Sequence, residues 1–159
     1  MRTLILLLIA CVTTLASAAE GASLDAFPRT SLTITTASAR QHKFDIWVAR
    51  TPEQQERGLM FVTDLPADSG MVFIEEPQRV MTMWMKNTLI PLDMLFIGED
   101  GRVLYIRQRA TPHSLEIIKF DKPVRAVLEL RGGETKARGI RTGDYVQGEF
   151  FAPISKDGR

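Results

Sequence analysis

The segment Trp84-Met85-Lys86-Asn87-Thr88-Leu89-Ile90-Pro91-Leu92-Asp93 concentrates the chemistry of this chain. It sets an aromatic ring, an ammonium, an amide and a carboxylate among residues that otherwise read as core. Polar groups in an apolar run are costly unless each finds a partner. The segment is therefore either a structural knot or a site. As a site, Trp84, Lys86, Asn87 and Asp93 would bind a ligand, with Asp93 as an accepting carboxylate or, in a small hydrolase, a general base. As a knot, Asp93 accepts backbone N–H bonds near Pro91 or pairs with Lys86, and Asn87 shapes a turn. A second carboxylate, Glu129, stands in Val127-Leu128-Glu129-Leu130. It either joins the site or pairs with a base such as Arg125. The argument for a binding site is collective, since four of these five groups fall within ten residues.

Met81, Met83 and Met85 alternate with Thr82 and Trp84. On a strand their thioethers share one face. Soft thioethers suit Cu(I), so an exported Cu(I)-binding protein is an alternative function. The competing account is adaptable core packing, the common use of methionine.

Most catalytic kits are missing. There is no G-x-S-x-G elbow, no H-E-x-x-H, no phosphate-binding glycine loop and no Cys nucleophile after the N-terminal segment. The histidines are His42 and His113, and the adjacent pair His113-Ser114 is poorly placed for a triad. A non-catalytic binding or accessory domain fits this inventory best.

The elements that must position these groups are mostly short strands. Leu32, Ile34 and Thr36 alternate with Thr33 and Thr35; Phe44, Ile46 and Val48 alternate with Asp45 and Trp47. Further strand-like runs are Gly70 to Glu75, Arg79 to Met85, Leu92 to Ile97, Arg102 to Arg107, Val124 to Leu130 and Tyr145 to Phe150. Several are apolar on both faces, as in a closed or covered sheet. Thr51-Pro52-Glu53-Gln54 is a capping box with Pro at the first helical position, and Gly58 supplies a stop. That predicts one or two helical turns over Pro52 to Arg57. Gly133 to Arg138, closed by Gly139, is a second candidate turn. The expected fold is mainly β, a compact antiparallel barrel or sandwich with one or two short helices.

One hairpin is predicted in register. Asp100-Gly101 suits a two-residue type I′ loop. Glu99 then pairs with Arg102, Ile97 with Leu104, Leu95 with Ile106 and Asp93 with Gln108. Asp93 lands on the same face as Leu95, Ile97, Leu104 and Ile106, a carboxylate at the end of an apolar face. A slip of one residue would reverse that.

The N-terminus reads as an export signal. Arg2 precedes an apolar run from Leu4 to Leu15, too short to span a bilayer, followed by the small-residue site Ala16-Ser17-Ala18. Cleavage leaves residues 1–18 as signal peptide. Leu8-Ile9-Ala10-Cys11 resembles a lipobox, an alternative that would lipidate Cys11. Cys11 is the single cysteine, so the mature chain has no disulfide and no thiolate site. Removing Arg2 leaves 20 − 1 = 19 basic side chains against 19 acidic ones. This balance gives no electrostatic reason to expect nucleic acid. No second long apolar run follows, so no transmembrane segment is expected after cleavage; a small ligand or an envelope protein is the expected partner. Residues 19–30 read as a flexible leader, 31–153 as one β-rich domain and 154–159 as a tail.

Together the motifs carry a family resemblance. Arg57-Gly58-Leu59-Met60, Gly70-Met71-Val72-Phe73, Trp84-Met85-Lys86-Asn87-Thr88 with Pro91-Leu92-Asp93, Val127-Leu128-Glu129-Leu130, and Gly139-Ile140 with Gly143-Asp144 resemble the domain of unknown function 192 family. The likeness spans roughly Thr33 to Phe150. It implies a compact β-rich fold, often exported, in a family widespread among bacteria and archaea. It implies no activity, ligand or catalytic residue.

Overall fold

A computed structural model describes residues 23–151. The expected signal peptide, Cys11 and the tail lie outside the described residues. In chain order the elements are β1 (Arg29–Thr35), β2 (Gln41–Ala49), α1 (Pro52–Arg57), β3 (Ser69–Arg79), β4 (Thr82–Met83), β5 (Leu92–Ile97), β6 (Val103–Ala110), β7 (Ile118–Lys119), β8 (Val124–Arg131), α2 (Glu134–Arg138) and β9 (Tyr145–Gln147). The fold is mainly β with two short helices, as its sequence pattern predicts. Among the described residues no helix is long and apolar enough to cross a membrane.

Seven strands form one curled sheet in the order β6-β5-β8-β3-β2-β1-β9. The curl brings the two edges together. Arg102 bridges Tyr145, Val103 N–H donates to Asp144 O at 2.8 Å, and Val146 N–H donates to Gly101 O at 2.8 Å. Two edge strands are thereby partly covered, which limits unwanted pairing. The sheet is not wholly antiparallel: β2 and β3 run parallel, with α1 in the connection between them.

Alternation along the strands makes two cores. Leu32, Ile34, Phe44, Ile46, Leu95, Ile97 and Leu128 fill the inside of the curl. Met71, Phe73, Met94, Phe96 and Val127 face the other way. That outer face is covered by the segment from Leu59 to Leu65 and by a small second sheet of β4 and β7. Central strands buried on both faces explain why β5 reads as continuously apolar.

Several local features depart from the sequence reading. The run Arg79 to Met85 is mostly not strand; β4 holds only Thr82 and Met83, and its partner β7 has no clear sequence signal. The described part of the leader is anchored: Phe27 is buried and Val48 N–H donates to Pro28 O at 2.8 Å. The β5–β6 loop is not a two-residue turn. Gly98 N–H donates to Arg102 O at 3.0 Å, Gly101 N–H to Gly98 O at 3.1 Å, and Gly101 has φ +80°. This is a three-residue loop ending in a left-handed glycine. The register then shifts between Phe96 and Ile97, so Ile97 faces Val103 while Leu95 still faces Ile106. Leu104 is the extra residue and packs with the outer core, not the inner one. A bulge of one residue accounts for both the miss and the recovery.

Candidate functional site

Glu129 lies near the middle of β8, in the interior of the sheet. Its neighbours across the strands are Met71 on β3 and Met94 on β5. Beyond them stand Trp47 and Arg107, in line. Parity puts Glu129 with Val127 on the outer face, so a carboxyl sits between two thioethers under the covering loops. It is 4% exposed. The hydrogen bonds and ion pairs of the described residues do not include its carboxyl, and burial alone pushes its pKa up to about 8. A buried acid without a partner is held in its neutral form by desolvation.

The space above Glu129 is a cavity of about 90 Å³. That exceeds the roughly 10–15 Å³ needed by one water. Phe73, Met81 and Met83 supply apolar wall, and Trp84 and Lys86 stand on the same lining. α1 borders it through Gln55, Glu56 and Arg57. That helix forms where expected: Thr51 Oγ1 accepts from Gln54 N–H at 3.3 Å, the Gln54 side chain accepts from Thr51 N–H at 3.2 Å, and Pro52 opens the first turn.

The segment from Trp84 to Thr88 is a turn held from two sides. Thr88 N–H donates to Met85 O at 3.0 Å, Phe61 N–H to Asn87 O at 2.9 Å, and His113 N–H to Thr88 O at 3.1 Å. Asn87 has φ +56°, a left-handed conformation its short amide tolerates. Its Nδ2 reaches Met60 Sδ at 3.8 Å. Trp84 is 43% exposed, and Lys86 Nζ lies 5.2 Å from the centre of its ring. Asn87 lines a shallow depression next to the cavity, shared with Trp84 and Lys86.

Asp93 is elsewhere. It is fully buried and is not part of the cavity. Its Oδ1 accepts from Arg109 N–H at 2.8 Å and Gly133 N–H at 2.9 Å; its Oδ2 accepts from Thr135 N–H at 2.9 Å and Thr135 Oγ1 at 2.6 Å. Arg109 is left-handed, φ +47°, beside the register shift between Leu92 and Met94, and this turns its N–H onto Asp93. The first turn of α2 begins at Gly133, which has no side chain to cap it. Asp93 takes the role of N-cap from a distant strand. The expectation that Asp93 shares a site with Lys86 is therefore corrected: every strong acceptor direction is occupied by the fold, and no ion pair joins it to Lys86. The same geometry removes Asp93 as a hydrolytic base.

Met81, Met83 and Met85 do share a face, but it is the buried one. All three pack in the outer core, and Met85 does not reach the cavity. Among the described residues no three His, Cys, Asp or Glu side chains group as a metal site would require. The structure thus brings Trp84, Lys86 and Glu129 together, sets Asn87 beside them, and separates Asp93. Arg57, Met60, Phe73 and Arg79 are among the further lining residues and were not proposed as site residues from the sequence. The motifs Arg57-Gly58-Leu59-Met60 and Gly70-Met71-Val72-Phe73 were the available signals for the first three.

The comparisons with known proteins follow this geometry. Residues 33–148 match the family model described as "Uncharacterized ACR", domain of unknown function 192. The chain belongs to this family. A crystal structure from Sinorhizobium meliloti 1021, of a protein provisionally described as a transcription regulator, is 41% identical with a TM-score of 0.77. It covers 79% of this chain and 97% of its own. A crystal structure of a protein of unknown function from Novosphingobium aromaticivorans DSM 12444 is 40% identical with a TM-score of 0.73, covering 76% of this chain and 85% of its own. None of the curated proteins matches the chain.

Proposed function

We propose that this member of the domain of unknown function 192 family is an exported, non-catalytic binding or accessory domain whose small ligand sits over Glu129. One observation carries the reading. A carboxyl on a central strand is 4% exposed, has no hydrogen bond or ion pair with a described residue, and faces a cavity lined by apolar side chains on one side and by charged ones on the other. An acid in that position costs stability, and such a cost is characteristic of sites. Trp84 and Lys86 add an aromatic face and a cation to the lining. The Arg2 to Ala18 signal pattern supports a periplasmic or secreted location, with a mature chain starting near Ala19.

The description of the Sinorhizobium relative favours a second reading, regulation of transcription. Against it, the mature charges balance, and the two helices among the described residues run six and five residues, short for reading a DNA groove. A Cu(I) reading would need the buried thioethers of Met81 and Met83 to turn from their packing toward one ion.

The test uses mature protein labelled with ¹³C in its methionine methyls and titrated with a small-molecule extract of the native cell envelope. The Met81 and Met83 signals are expected to shift saturably, and the shifts to vanish in Glu129→Leu. Unmoved signals in the wild type would end the binding reading. Mass spectrometry of the protein from the native envelope checks export; an uncleaved chain or a lipidated Cys11 would overturn the cleavage site.

A further inference from the structure

The polar groups of the cavity are asymmetric. Glu129 is the one acid that the sheet contributes to the lining, and no hydrogen bond or ion pair with a described residue reaches its carboxyl. Its neighbours on β3 and β5 are Met71 and Met94. The other charged groups that line the cavity are Glu56 and Arg57 from α1, Arg79 from the end of β3, and Lys86 from the turn after β4. Arg79 is held by Glu75 at 2.6 Å, and Arg57 Nη1 donates to Met60 O at 2.6 Å. Lys86 rests on Trp84 and is in no ion pair with a described residue. Cations outnumber acids around the lining, and Lys86, which no described residue pairs, stands on an exposed aromatic.

We infer that the cavity takes a small monoanion that also carries an uncharged oxygen, a hydroxy- or keto-carboxylate of a few carbons, with its carboxylate at Lys86 and its uncharged oxygen at Glu129. The inference rests on the binding reading of the cavity and names the ligand class for it.

Three physical points support the class. A cationic ligand would be repelled by Lys86, whose ammonium is in no ion pair with a described residue, whereas an anion is drawn in. The neutral form of Glu129 has an O–H to donate, so a carbonyl or hydroxyl oxygen satisfies it without burying a second charge. The apolar wall of Phe73, Met81 and Met83 and the small volume suit a short carbon skeleton rather than a sugar or nucleotide. The proton on Glu129 is then part of the site. When it is lost, the O–H donor goes and a second negative charge faces the ligand.

The mature chain with ¹³C-labelled methionine methyls tests this against lactate, pyruvate, propionate, propylamine and inorganic phosphate. Lactate or pyruvate is expected to move the Met81 and Met83 signals saturably at neutral pH and to bind more tightly than propionate, propylamine or phosphate. Affinity is expected to fall about tenfold or more by about pH 9.5. Glu129→Gln keeps an uncharged donor, so binding should survive with that pH dependence removed. Lys86→Met should weaken binding by about fivefold with the fold intact. Preference for propylamine or phosphate would overturn the class while leaving the cavity as a site. So would silence from the whole panel in a protein whose signals still respond to the envelope extract. Silence toward both panel and extract would sink the class and the binding reading together.

Discussion

Asp93→Asn separates a scaffold carboxylate from a site carboxylate. On the site reading of the sequence, as against the structural one, Asp93 lines an open pocket, and removing its charge should cost little. The structure reverses that expectation. Four donors converge on its two oxygens, three of them backbone N–H groups. In the better orientation an Asn oxygen keeps the bonds from Arg109 and Gly133, but its NH₂ then faces the Thr135 N–H. That buried N–H loses its acceptor, at roughly 1–3 kcal/mol. The two retained bonds lose charge assistance, roughly another 1 kcal/mol together. Thr135 Oγ1 can rotate to accept from the new amide, so its bond is exchanged rather than lost. The expected loss is about 3 kcal/mol, large for a substitution so close in shape. Urea unfolding of both proteins at neutral pH measures it through the midpoint at constant slope. Lys86→Met should not rescue the variant, because no ion pair joins the two. A loss under about 1 kcal/mol, or rescue by Lys86→Met, would refute the capping argument.

Glu129 has a folded pKa of about 8 against 4.5 for the free side chain, so the native state holds a proton that the unfolded chain releases. Its contribution is fully present below about pH 4.5 and is lost as pH rises toward 8, at up to roughly 1.4 kcal/mol per pH unit. Urea unfolding from acid to mildly alkaline pH should therefore show wild type weakening relative to Glu129→Gln, and parallel curves would contradict the buried acid. At Gly101 an added Cβ would lie 2.3 Å from Val146 O, and φ is +80°. Gly101→Ala should cost roughly 2–5 kcal/mol by denaturation, from left-handed strain plus overpacking at the sheet closure. Met81→Leu with Met83→Leu keeps bulk and removes sulfur; isothermal titration with Ag(I) should show no stoichiometric binding by either protein, and tight wild-type binding lost in the double variant would restore the Cu(I) reading.

The sequence by itself determined what depends on neighbours along the chain. Period-two alternation marked β1 and β2, short apolar runs between turn residues marked β5, β6 and β8, and the Thr51 to Gln54 capping box with Pro52 marked α1, because those signals are local. The left-handed Gly101 was legible for the same reason. Tertiary structure decided where side chains from distant strands meet. Alternation in β8 places Glu129 opposite Val127's neighbours, but not beside Met71 and Met94, since strand order is a long-range choice. A bulge at Leu104 and a shift near Asp93 altered facings that ideal pairing would fix. β4 and β7 form through pairing across 35 residues of chain, from Met83 to Ile118, without a local strand signal of their own. Asp93 and Lys86 are seven positions apart in sequence, counted from 86 to 93, yet serve different parts of the molecule. Asp93 was claimed by backbone donors of Arg109, Gly133 and Thr135, which only the folded chain brings to it, and Glu129 received none from the described residues. Which carboxylate is scaffold and which lines the cavity was set by the supply of donors around each, a property of the packed fold rather than of the residues' order.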